Sequence, residues 1–120
     1  MDELRVLIAY EDSHRSYGQT MASAIRRLRP AAEVSVVQVH ELGSVVGGQA
    51  PHLVVCNRSN TVAPGSSAAW ARLSNEPDEP SEFCLDGQRR EIKNPGFDEL
   101  LAIIDETAEL VRSGRELGGC

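Results

Sequence analysis

Apolar positions along the chain fall into short continuous runs separated by helical stripes. Arg5-Val6-Leu7-Ile8-Ala9-Tyr10 is apolar on successive residues and ends at the polar string Glu11-Asp12-Ser13-His14-Arg15-Ser16. A run that is apolar on both faces predicts a central parallel strand. Tyr17, Met21, Ala24, Ile25 and Leu28 then recur at helical spacing, with Arg26, Arg27 and Arg29 near the negative end of the dipole and Pro30 as a stop. This predicts an amphipathic helix of about four turns. Glu33 to Val39 alternates in part and is rich in valine, which predicts a second strand toward a sheet edge. His40 to Gln49 has room for a short helix only, weakened by Gly43, Gly47 and Gly48. Pro51-His52-Leu53-Val54-Val55-Cys56 is a third strand, apolar on both faces. Alternating elements with short links imply parallel strands joined by right-handed crossovers.

After Asn57 the regularity breaks, because Arg58 to Ser67 holds Pro64-Gly65 and three serines and does not sustain a long helix. Ala68-Ala69-Trp70-Ala71-Arg72-Leu73 is expected as a fourth strand. The prolines of Asn75-Glu76-Pro77-Asp78-Glu79-Pro80 deny both helix and ladder pairing. Asp86-Gly87 stands between Phe83-Cys84-Leu85 and a second extended run, the pattern of a two-residue β-hairpin. From Pro95 onward Leu100, Leu101, Ile103, Ile104, Ala108 and Val111 form an apolar stripe, and Asp98 and Glu99 fall in the first turn, where the dipole favours them. One domain over residues 1–112 is expected, with 113–120 as a flexible tail containing three glycines.

The chain has 120 residues, 41% of them hydrophobic and 25% charged, a globular composition with no run near the roughly 20 apolar residues that span a bilayer. No membrane association is expected, and the acidic start Met1-Asp2-Glu3 is unlike an export signal; a cytoplasmic protein is expected. The formal net charge of −6 and the scattered arginines argue against direct binding of nucleic acid, which needs a concentrated positive face. Cys56, Cys84 and Cys120 lack metal-ligand spacing and are expected as reduced thiols. His14, His40 and His52 sit in separate segments, so no metal site is expected of them.

In an open parallel sheet, chemistry collects at the carboxyl ends of the strands. Those ends carry Tyr10-Glu11-Asp12, Asn57, Ser74 and Lys93, the chain's single lysine. The set resembles the phosphate pocket of response-regulator receiver domains. Arg5 to Glu11 is similar to the receiver's opening strand with its acidic pair, and Pro51 to Asn57 is similar to the strand carrying the phosphoacceptor aspartate. Ile92-Lys93-Asn94-Pro95-Gly96-Phe97-Asp98-Glu99-Leu100-Leu101 resembles the closing lysine-proline strand and final helix. The resemblance implies a flavodoxin-like, receiver-like three-layer αβα sandwich. Its sheet would be mainly parallel and five-stranded, with shortened helices in the second half and an added hairpin.

In that family the acidic pair holds Mg²⁺, the aspartate accepts a phosphoryl group, a hydroxyl reorients toward it, and the lysine neutralises its charge. Here Asn57 stands at the nucleophile's position, and an amide supplies no carboxylate for an acyl phosphate. Tyr10 replaces one acid, leaving Glu11 with Asp12 displaced by one position as weak cation ligands. Asn94 separates Lys93 from Pro95, and Ser74 is the candidate hydroxyl. The expectation is a degenerate, pseudo-receiver signalling module with no catalytic residues and no cofactor, acting through an unknown protein partner or as a homodimer. Its output surface would lie between Asn57 and Ile92.

Each of these residues also has a plainer reading. Glu11 and Asp12 suit the start of a helix without any metal, Asn57 and Ser74 suit turns, and Lys93 suits a surface. Cys56 reads as a small core hydrophobe, and Trp70 as a core or interface anchor. A rival resemblance is to the hydroxyl-rich phosphate loop of flavodoxins. Ser13, Ser16, Gly18 and Thr20 would then cradle the phosphate of FMN or a similar ligand at the first helix's start.

Overall fold

A computed structural model describes residues 4–10, 15–38, 51–57, 68–74 and 78–118. The elements are β1 (Leu4–Tyr10), α1 (Arg15–Leu28), β2 (Ala32–Gln38), β3 (Leu53–Cys56), β4 (Ala69–Arg72), β5 (Pro80–Leu85), β6 (Gln88–Lys93) and α2 (Phe97–Ser113). The six strands form one sheet in the order β2-β1-β3-β4-β5-β6. The first four are parallel, as their apolar runs predict, and β2 lies at an edge. The short helix expected within 40–49 lies outside the described residues.

The sheet is α/β and mixed rather than a five-stranded, mainly parallel one: β5 runs antiparallel to β4 and β6 antiparallel to β5. Connection length decides this. A parallel crossover needs about a dozen residues, which the link 57–68 between β3 and β4 supplies. The link 73–79 between β4 and β5 is too short, so the chain turns straight back. The Asp86-Gly87 turn then closes the expected hairpin, with φ of 54° at Asp86 and 73° at Gly87. Positive φ at both central residues gives the mirror-image turn whose twist matches that of the flanking strands. Consequently the place beside β4 belongs to β5, and β6 forms the outer edge.

Both helices join one apolar cluster. Met21, Ala22 and Ile25 of α1 and Leu100, Ile103, Ile104 and Leu110 of α2 pack with Val6, Ile8, Leu53, Val55, Ala71, Phe83 and Leu85 of the sheet. The alternate strand residues Leu7, Ala9, Val54 and Cys56 form a second buried cluster with Ala68. Central strands buried on both faces account for their unbroken apolar runs. Outside the core, Arg29 donates through Nε and Nη2 to the two carboxylate oxygens of Asp105 at 2.7 and 2.8 Å, tying the end of α1 to α2.

Two expectations about the second half are corrected. Residues beyond 112 do not all form a free tail: α2 runs to Ser113, and Gly114 in the left-handed region caps it. Asp86 and Gly87 then donate their backbone N–H groups to the carbonyls of Leu117 and Gly118. Cys84 is disulfide-bonded rather than a reduced thiol, whereas Cys56 forms no disulfide and is buried. No helix among the described residues is long and apolar enough to cross a membrane.

Candidate functional site at the carboxyl edge of the sheet

β1 and β3 are neighbours, with Ala9 paired to Cys56, so the next residues, Tyr10 and Asn57, come level at the sheet's carboxyl edge. Tyr10 is 3% exposed and Asn57 is 5% exposed. The Tyr10 ring lies under α1, where a Cβ added to Gly18 would stand 3.3 Å from its Cγ. Its centroid is 5.5 Å from that of Tyr17. Glycine therefore lets the helix settle on the aromatic ring. The Tyr10 hydroxyl is buried without a hydrogen-bond partner among the described residues. Burial first, and then the neighbouring Tyr17 and Cys56, push its ionisation far above the ordinary tyrosine range, so the phenol stays neutral. The two positions thus present a phenol and an amide, and neither carries charge.

Lys93 lies apart from Asn57, and Ser74 is tied to the approach to β5: its backbone N–H donates to Ser81 Oγ at 2.9 Å, and its own hydroxyl donates to Glu79 at 3.4 Å. Both contacts fasten it to the start of β5. Lys93 ends β6 level with Pro80 and is exposed. Three strand spacings separate β6 from β3, roughly 14 Å at about 4.8 Å each, which is beyond hydrogen-bonding reach of Asn57 for a lysine side chain. Glu11, Asp12 and Ser13 lie outside the described residues. Of the alternative phosphate loop, Ser16 and Thr20 are exposed on α1 while Gly18 is buried against Tyr10, so these three are helix residues on different sides and do not line one loop.

Among the described residues, Arg72 brings a nearly buried charge to this edge, although the sequence pattern marks it only as part of a strand. It is 9% exposed and pairs in register with both Cys56 and Glu82. Its Nη2 donates to Glu82 Oε1 at 3.0 Å and to the Pro80 carbonyl at 3.2 Å, and Glu79 lies 3.8 Å from its Nη1. Glu82 also accepts from Arg89 at 2.8 Å, whose guanidinium stands 5.8 Å from the centre of the Trp70 ring. Burial resists ionisation of Glu82, but the hydrogen bonds from Arg72 and Arg89 outweigh it and hold its carboxyl below the ordinary value. Cross-strand alternation over β4, β5 and β6 brings these groups to one face. The only local clue was an arginine at the end of an otherwise apolar strand.

Near the opposite end of the strands, a cleft of about 200 Å³ is lined by Arg5, Val6, Leu7, Glu33, Ser35 and Pro51. That volume falls below the 300–1,000 Å³ usual for small-molecule sites. Beside it, the Arg5 backbone N–H donates to His52 Nδ1 at 2.9 Å. Among the described residues no three His, Cys, Asp or Glu side chains converge on a metal position. No protein-family model, curated protein or solved structure matches the chain.

Proposed function

We propose that this chain is a receiver-like protein-interaction module that works without accepting a phosphoryl group. The observation that carries the reading is the neutral pair Tyr10 and Asn57, buried at adjacent strand ends. Phosphoryl transfer to a side chain at this edge needs a nucleophilic carboxylate together with charge that binds a divalent cation. Neither residue supplies either. The four parallel strands in the order β2-β1-β3-β4 support a scaffold of the receiver kind. The β5–β6 hairpin, with its exposed charges Arg89, Glu91 and Lys93, offers a partner a surface that a single closing strand would not. Such a surface favours a protein of complementary charge, recognised at the hairpin rather than at the old pocket.

The test is incubation of the full chain with a small acyl phosphate and Mg²⁺, read by intact mass. The mass should stay unchanged, and a stable gain of one phosphoryl group overturns the reading. A yellow preparation with flavin absorption would instead favour a phosphate-bearing ligand at the start of α1.

A further inference from the structure

β6 closes the sheet on its outer side and pairs with β5 alone among the described residues. In an antiparallel pair, residues alternate between those whose N–H and C=O bond to the neighbouring strand and those whose groups point away. Leu85 and Gln88 flank the two-residue turn as its bonded pair. Arg90 and Ile92 therefore bond inward as well, and Arg89, Glu91 and Lys93 direct their backbone groups outward. The side chains of these last three share one face of the sheet. Arg89 is engaged there by Glu82, and Arg90, on the other face, by Glu106. Glu91 faces another carboxylate, Glu82, across the β5–β6 ladder, and Lys93 faces Pro80. Both are exposed, and neither has an oppositely charged partner among the described residues.

Charges on an edge strand keep off strands of arbitrary sequence, but here they also select one that fits. When a second copy of β6 is added antiparallel about a twofold axis normal to the sheet, the residue on the axis faces itself, and residues equally far to either side face each other. Centring on Arg89, Arg90, Glu91 or Lys93 sets like charge directly against like charge, which is unfavourable. Centring on Gln88 runs into the turn. Centring on Ile92 sets isoleucine against isoleucine and Glu91 against Lys93 on both sides of the axis. In that register the outward N–H and C=O groups of Glu91 and Lys93 exchange bonds with those of the second copy. Ile92 already packs half-buried against the core cluster, so the apolar contact continues that cluster across the axis. β2, at the other edge, has Glu33 as its single charge and no such self-complement.

We propose that β6 is a self-recognition edge, at which two copies of this chain join about Ile92 into one continuous sheet, held by backbone bonds and reciprocal Glu91–Lys93 pairs. A contact made by one short edge is small, so the association is weak and concentration-dependent. Its ion pairs are exposed and set the register more than the affinity. The pairing rests on the hairpin's being the partner surface, with a second copy as the partner, and is independent of whether the chain accepts a phosphoryl group.

Sedimentation velocity of the full chain at low salt, from about 10 μM to about 1 mM, should show the mean mass rising toward that of a dimer. Glu91→Lys and Lys93→Glu, each alone, oppose like charges on both sides of the axis and should weaken association at least about tenfold. Both sites are exposed, and the thermal midpoint of each variant checks that it folds. An equimolar mixture of the two variants should associate again as a heterodimer, because each position 91 then faces the opposite charge at position 93. NMR amide shifts of Glu91 and Lys93 should move with concentration while those of Val34 and Val36 on β2 stay fixed. A monomer at every concentration overturns the proposal and leaves the phosphodonor test untouched. Association equally strong in both folded single variants overturns it, as does a mixture of them that stays monomeric.

Discussion

Tyr10 carries its hydroxyl into an interior that gives it no hydrogen bond among the described residues, and a buried polar atom left unsatisfied is costly. Tyr10→Phe removes that atom and keeps the ring against Gly18. It should leave stability unchanged or raise it by about 1 kcal/mol, checked by the urea midpoint. Gly18 sets the opposite constraint. Glycine in a helix interior is worth about 1 kcal/mol less than alanine, yet a Cβ here would sit 3.3 Å from the Tyr10 ring, tight enough to cancel that gain. Gly18→Leu adds volume that the packed ring cannot absorb and should cost roughly 1–3 kcal/mol, read as a lowered Tm. At Gly87, by contrast, no atom stands near an added Cβ, but φ of 73° makes any L side chain strained whatever the space. Asp86, at φ of 54°, tolerates the same region because aspartate and asparagine are the side chains that adopt it most readily.

The β5–β6 hairpin owes its register to that turn, and a charge pair reinforces its backbone ladder with β4. Glu82 accepts from Arg72 on one side and from Arg89 on the other. Glu82→Ala leaves the nearly buried Arg72 with the Pro80 carbonyl and the distant Glu79 as its partners among the described residues, its close counter-charge gone, and should cost roughly 2–4 kcal/mol, whereas Arg89→Ala, at the exposed end, should cost under about 1 kcal/mol. Equilibrium unfolding of the two variants measures the asymmetry. The pair also sets a pH dependence. Glu82 and Asp105 are both held below their ordinary values, Asp105 chiefly by the hydrogen bond from Arg29. The unfolded chain therefore binds protons first as pH falls, and stability rises with pH across that window. Their contribution is complete above about pH 5 and is lost as pH drops below the ordinary carboxylate range near 4 and through the depressed folded values. Urea midpoints at pH 3 to 6 should decline with acid, less steeply in Glu82→Ala. On the outer side, β6 presents Arg89, Glu91 and Lys93 along an edge that would otherwise invite another strand.

Across the whole molecule, the sheet order and the returning C-terminal segment determine what can meet what. Much of the architecture was legible beforehand. Val6 to Tyr10 and Leu53 to Cys56 announced central strands by being apolar at every position, the stripe from Leu100 to Val111 announced α2, and Asp86-Gly87 announced the hairpin. Each of those signals lies within a window of a few turns or one strand, where backbone propensity and side-chain period act directly. The same sequence misled where pairing was non-local. Lys93 was grouped with Asn57 because both end strands, yet the antiparallel β5 stands between β6 and β4. Arg72 passed as a strand residue because its partner Glu82 is ten residues away on another strand, and the segment after Ser113 passed as a tail because its hydrogen bonds go to a turn some thirty residues earlier. The sequence by itself determined which segments are strands, helices and turns, since these follow from local periodicity and turn chemistry. Only the tertiary structure decided which strand ends share an edge, which charges pair and where the chain's end is fastened, because those contacts depend on connection lengths and sheet order rather than on any neighbouring residue.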